Sequence, residues 1–183
     1  MRITVSDGET VYSFNKRTGM FDSIKYKNKE ILNKPLEFNF FRAPTDNDNG
    51  RWDWYRAHLN DYVTKIYNVD VNGVEGGVEI IVKQAFGWSI YQPFAVMDVT
   101  YTISGNGICV KGNLETSNKV TFLPRFGLRL FVPKSFDRVE YFGYGPFENY
   151  SDRNSSALMG HYVQRVEDQY HYGYVRPQES GTK

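Results

Sequence analysis

The sequence predicts an all-β fold, a sandwich of short antiparallel strands. Three observations point there. Apolar residues recur at every second position through most of the chain, the period of a strand with one face buried. Turn signals fall every ~8–12 residues, which suits a sandwich. Aromatic residues make up 16% of the chain, and such side chains pack well on a pleated, half-buried surface.

The strands follow in order. Ile3 and Val5 alternate ahead of an Asp7-Gly8 turn. Val11–Phe14 form the next run, Thr18-Gly19 breaks it, and Phe21–Tyr26 resume. Val69 and Val71 lead into Asn72-Gly73, a dipeptide that predicts a hairpin turn. Val78, Ile80 and Val82 share one face. Met97, Val99, Tyr101 and Ile103 alternate without a break, and the SGNG turn at 104–107 hands them to Ile108, Val110 and Leu114. Phe126, Leu128 and Leu130 alternate again, and Val139 and Tyr141 open a further strand.

One segment departs from this period. In RWDWYRAHLNDY, Trp52, Tyr55, Leu59 and Tyr62 fall on one face at helical spacing, which predicts a short helix over 51–60. Asn49-Gly50 starts it, and Asp53 in the first turn suits the positive end of the helix dipole. His58 faces away from that stripe and reads as a solvated histidine. The block 141–162, YFGYGPFENYSDRNSSALMGHY, reads as a rigid loop that fixes Glu148, Asn149, Asp152 and Arg153 in place. After about residue 163 the alternation fades, and Pro177 stops any central strand. Residues 1–183 read as a single β-sandwich domain.

Composition narrows the function. A net charge of +1 gives no electrostatic reason to bind nucleic acid or an anionic membrane. The single cysteine, Cys109, excludes an intrachain disulfide and reads as a small packing residue. No apolar run approaches the roughly 18 residues of a membrane span.

Candidate chemistry is sparse. In the loop RAPTDNDNG (42–50) an EF-hand register fails: counting from Asp46, the position that needs glycine is Arg51 and the position that needs glutamate is Ala57. An irregular cation site at Asp46 and Asp48 is the minor reading; in the favoured one Asp46 and Asn47 bond nearby backbone amides and Arg42 pairs with one of the carboxylates. Glu148 and Asp152 are a candidate acid/base pair, since glycosidases hold two carboxyls either ~5–5.5 Å or ~6.5–9.5 Å apart. The adjacent Arg153 favours instead an ion pair that pins the loop. His58, His161 and His171 have no metal-ligand spacing, so no metal is expected in this chain. Neither a phosphate-binding glycine loop nor a Gly-x-Ser-x-Gly elbow is present.

Four segments in chain order resemble the C-terminal domain, or small chain, of β-galactosidases of glycoside hydrolase family 2. They are NFFRAPTDNDNG (39–50), LPRFGLRL (123–130), YFGYGPFENYSDR (141–153) and YVRPQESG (174–181). The family patterns run approximately as W-R-A-P-T-D-N-D-x-G, L-P-R-x-G, G-x-G-P-x-E-N-Y-x-D-R and Y-V-x-P-Q-E-N-G. Phe41 stands where the family often has Trp, and Ser180 where Asn is usual.

The resemblance implies a partial β-supersandwich of the galactose-mutarotase type. It also implies that this chain holds no catalytic residue. In the family, two glutamates on a separate (β/α)8 barrel hydrolyse terminal β-galactosides with retention. This sequence has no βαβ alternation and cannot contain that barrel. The implied partners are the catalytic barrel of the same enzyme and, through the intact enzyme, a β-galactoside. Arg42, Asp46, Asp48, Glu148, Asn149, Asp152 and Arg153 are then expected at the domain interface or pocket rim. No cofactor is expected in this segment, while a divalent or monovalent cation belongs to the intact enzyme. The chain stops soon after its Pro-Gln-Glu motif, so the last third of the domain is expected to be missing. Uncovered sheet edges would favour a homo-oligomer. Cytoplasm and periplasm remain open as compartments. Two other readings stand beside this one. A free-standing carbohydrate-binding module would stack Trp52, Trp54 or Trp88 on a pyranose. A mutarotase-like epimerase would use His161 with Glu148.

Overall fold

The computed structural model describes residues 1–147, 149, 155–170, 172–176 and 178. They fall into two compact units, Met1–Arg42 with Gly50–Val132, and Ala43–Asn49 with Pro133–Lys183. The strands pair antiparallel throughout, as the alternation predicts.

In the first unit, β1 (Arg2–Ser6), β2 (Thr10–Asn15), β3 (Met20–Tyr26) and β4 (Lys29–Glu30) form one sheet in chain order. After β5 (Lys34–Asn39) comes a second four-stranded sheet of β6 (Val63–Val74), β7 (Gly77–Gly87), β8 (Ala95–Ser104) and β9 (Gly107–Thr116). β10 (Gly127–Phe131) pairs with β5.

The two four-stranded sheets meet through the alternating apolar residues. Met97, Val99, Tyr101 and Ile103 of β8 are all buried. The Tyr101 ring packs 5.4 Å from both Phe14 of β2 and Phe21 of β3. Its hydroxyl donates a hydrogen bond to the Gly19 carbonyl at 3.2 Å. Burial of each such side chain contributes about 1.5–3 kcal/mol. Gly19 has φ +69, and a Cβ there would lie 2.7 Å from Ile66 Cδ1, so both backbone and space require glycine. A second aromatic nest centres on Phe40, whose ring lies 4.7 Å from Phe86, 5.2 Å from Tyr62 and 5.3 Å from Phe94. The Tyr62 hydroxyl donates to the Phe38 carbonyl.

Cys109 lies in β9 but is exposed rather than packed. β9 is the last strand of its sheet, and most of its residues face solvent.

Two local expectations change. The hairpin after Val71 turns at Glu75-Gly76, not at Asn72-Gly73. Val74 pairs with Gly77 and Gly73 with Val78, so β6 runs straight through the Asn-Gly pair. Gly76 carries the left-handed backbone, φ +71, that the tight turn needs.

The helix is shorter than predicted and buries a different side. α1 spans Arg51–Arg56, with Gly50 as its N-cap and Asp53 in its first turn. Leu59 N–H bonds Trp54 O at 3.1 Å and His58 N–H bonds Tyr55 O at 3.0 Å. This is a Schellman ending, with His58 (φ +56) in the left-handed position usually held by glycine. The reversal at His58 takes Leu59 and Tyr62 off the helical register. Trp54 and Leu59 are therefore the buried pair, while Trp52 is 64% exposed and Tyr55 is also exposed.

In the second unit, β11 (Arg138–Gly145) pairs with β12 (Leu158–Arg165) along their full length, and a 3-10 turn follows at Val166–Gln169. The two ends of the 141–162 block are thus paired strands rather than loop. Their glycines serve ring packing. Tyr141 and Tyr162 lie 5.3 Å apart, and a Cβ on Gly145 would overlap the Tyr141 hydroxyl and sit 3.1 Å from the Tyr162 ring.

Candidate functional site

The loop over 43–49 is held by its own polar side chains. Asp48 Oδ2 accepts from the Thr45 N–H at 2.6 Å and from Thr45 Oγ1 at 3.0 Å. The Asp48 N–H returns a bond to Thr45 O at 3.2 Å. Side chain and backbone together close a tight turn. Asp46 Oδ2 accepts from Arg176 Nη1 at 3.0 Å. This ion pair joins the 39–50 motif to the 174–181 motif, which are 130 residues apart in sequence. Asp46 stands out in the sequence and Arg176 does not, because nothing local marks a pair formed by tertiary folding.

In the first unit, the Arg42 guanidinium lies over the Trp54 ring, 5.1 Å from its centroid. This cation–π contact holds the Arg42 side chain on the helix. Asn149 Oδ1 is buried and has no hydrogen-bond partner among the described residues. Glu148, Asp152 and Arg153 lie outside the described residues, and so do His171 and Ser180. His161 Nε2 sits 2.8 Å from Glu140 Oε1 on the β11–β12 ribbon, and both side chains are exposed. Among the described residues no group of three His, Cys, Asp or Glu could hold a metal ion.

The three tryptophans separate clearly. Trp54 is buried and cannot stack on a sugar. Trp52 stands on the exposed side of α1. Trp88 lines a cleft of about 290 Å³ between the end of α1, the 87–94 turn and the 117–119 turn. His58 stacks on Trp88 with centroids 4.9 Å apart and planes 8° apart, and Tyr91 lies 6.1 Å from the same imidazole at 22°. His58 Nδ1 is 3.1 Å from Asp61 Oδ1. His58 is therefore a half-buried member of an aromatic cluster, not a solvated side chain. The hint in the sequence was GWSIYQP at 87–93, an aromatic-rich stretch between two alternating runs.

Comparison with known proteins places these motifs. The family model described as "Beta galactosidase small chain" matches residues 6–183. The chain belongs to the β-galactosidase small-chain family. Among curated relatives, a β-galactosidase of Actinobacillus pleuropneumoniae is 38% identical over 183 residues, covering 99% of this chain and 18% of the relative. One from Staphylococcus xylosus is 33% identical over 184 residues, covering 100% and 18%. One from Priestia megaterium is 32% identical over 189 residues, covering 99% and 17%. The chain thus spans under a fifth of the length of the relatives it matches.

The paired carboxylates Asp46 and Asp48 are engaged with an arginine and a backbone turn, which fixes loop shape.

Proposed function

We propose that this chain is a non-catalytic β-sandwich domain of a retaining β-galactosidase. Its role is to pack against the catalytic barrel and help shape the pocket for a terminal β-D-galactoside. The observation that carries this reading is the small-chain family match over residues 6–183, together with relatives called β-galactosidases that are more than five times longer. Asp46 and Asp48 hold the 43–49 loop, and we assign that loop and Arg42, with Glu148, Asn149, Asp152 and Arg153, to the domain interface or pocket rim. A preorganised loop on a rigid sandwich is suited to supporting a site built on another domain. Any cation requirement belongs to the intact enzyme.

The test is an aryl-galactoside assay on the isolated chain. No turnover above a contamination control is expected, and turnover that copurifies with the chain would overturn the reading.

We also propose self-association through the open edges of β6 and β9, each paired on one side only among the described residues. β6 exposes Val63, Tyr67 and Val71, which would gain cover in an assembly. Sedimentation velocity should give a species larger than 21.3 kDa. A monomer at high concentration would contradict this.

A further inference from the structure

We infer that the cleft between α1 and the 87–94 turn is a saccharide-binding site carried by this chain itself, with Trp88, His58 and Tyr91 as the stacking platform. Three observations converge on it.

The first is the platform. Trp88, His58 and Tyr91 come from two separate segments and lie with nearly parallel rings. Trp88 keeps 36% of its surface exposed and Tyr91 62%, so the stack is open to a ligand.

The second is the backbone. His58 (φ +56) and Ser89 (φ +32) both hold left-handed conformations that a glycine would adopt at less cost; His58 lines the cleft and Ser89 follows its Trp88 in the chain. Strain of this kind in non-glycine residues gathers at functional sites. At the helix end, glycine would complete the same Schellman turn. A histidine there puts an imidazole on Trp88, and Asp61 fixes its orientation.

The third is the rim. Gln92 and Lys119, which carry an amide and an ammonium, are among the cleft's lining residues. Ser117 also lines it, and its buried hydroxyl has no hydrogen-bond partner among the described residues.

These features select a ligand class. A ligand that satisfies both parts needs a flat apolar face for the rings and hydroxyls around its edge for the rim. A pyranose has this construction. A flat hydrocarbon would leave the rim groups unpaired, and a phosphate would leave the aromatic face uncovered. The cleft volume of about 290 Å³ lies at the lower limit for ligand pockets, which fits one or two sugar rings. Affinity should be in the millimolar range, the order expected for so small a ligand in an open cleft.

The experiment is a two-dimensional NMR titration of the whole chain with galactose and with lactose, with benzoate and inorganic phosphate as competing chemistries. It reads binding by the chain alone, so its outcome is independent of the catalytic assay above. Saturable shifts confined to residues 56–61, 87–92 and 117–119 are expected with a saccharide. Trp88→Ala and Tyr91→Ala should each weaken binding by about tenfold, and Trp88→Phe should retain most of it. Absence of saturable shifts with both saccharides would overturn the proposal. So would shifts that survive both alanine variants, or tighter binding of benzoate or phosphate at the same residues.

Discussion

Gln84 is the residue whose chemistry fits its surroundings least. It is fully buried in β7, and neither its amide oxygen nor its amide nitrogen has a partner among the described residues. Burying an unsatisfied amide costs about 1–3 kcal/mol. Gln84→Met keeps the length of the side chain and removes both polar atoms. It should raise the stability by about 1 kcal/mol, read as a higher melting temperature; a lower one would mean that an ordered water satisfies the amide. Tyr62 gives a pH dependence. Burial, with the Glu37 carboxylate adding and Arg129 opposing, pushes its hydroxyl from 10.0 up to about 12. A group raised in the folded state contributes stability in full below its unfolded value. That contribution is lost as pH climbs from about 10 toward 12. Buried Tyr101 shifts in the same direction. Alkaline unfolding should therefore be steep in that window, and Tyr62→Phe should flatten it.

Among the elements, the end of α1 ties the core to the cleft. Leu59 is 1% exposed and follows the left-handed His58, so its side chain is delivered into the core by the Schellman turn. Leu59→Ala should cost about 2–5 kcal/mol in chemical denaturation. A cost near zero would show that the turn does not depend on this anchor. The same element marks what a sequence reveals. Met97 to Ile103 was legible because one face of β8 is buried and the other is not, which writes a period of two into the residues. The SGNG turn was legible because its glycines sit where Ser104 pairs with Gly107. The helix face was misread because a single left-handed residue resets the register, and a histidine there carries no signal. The Gly76 turn was missed because Asn72-Gly73 is the stronger local turn former, while pairing along β7 sets the register. Gly143 and Gly145 looked like loop residues, but they make room for Tyr141 on their own strand and Tyr162 on the neighbouring one. The Asp46–Arg176 pair and the His58–Trp88–Tyr91 stack lie between segments far apart in sequence, so no local pattern could show them.

At the scale of the whole molecule, stability is uneven. The first unit joins two four-stranded sheets and the β5–β10 pair around one hydrophobic core. The strands described in the second unit are one two-stranded ribbon, which exposes Phe142, Tyr144, Leu158 and Met159. A lone two-stranded ribbon is marginally stable in water. Amides of β11 and β12 should therefore exchange with solvent faster than those of β7 and β8. Equal protection would mean that the ribbon is covered, by self-association or otherwise. In a β-galactosidase, packing against further parts of the enzyme would supply that cover. We propose that this chain serves as such a non-catalytic domain. The most direct measurement replaces the matched segment of the Actinobacillus pleuropneumoniae β-galactosidase with residues 1–183 and compares galactoside turnover by the hybrid and by the isolated chain. Turnover by the hybrid and none by the chain alone is expected. A folded hybrid without activity, or an active isolated chain, would contradict it.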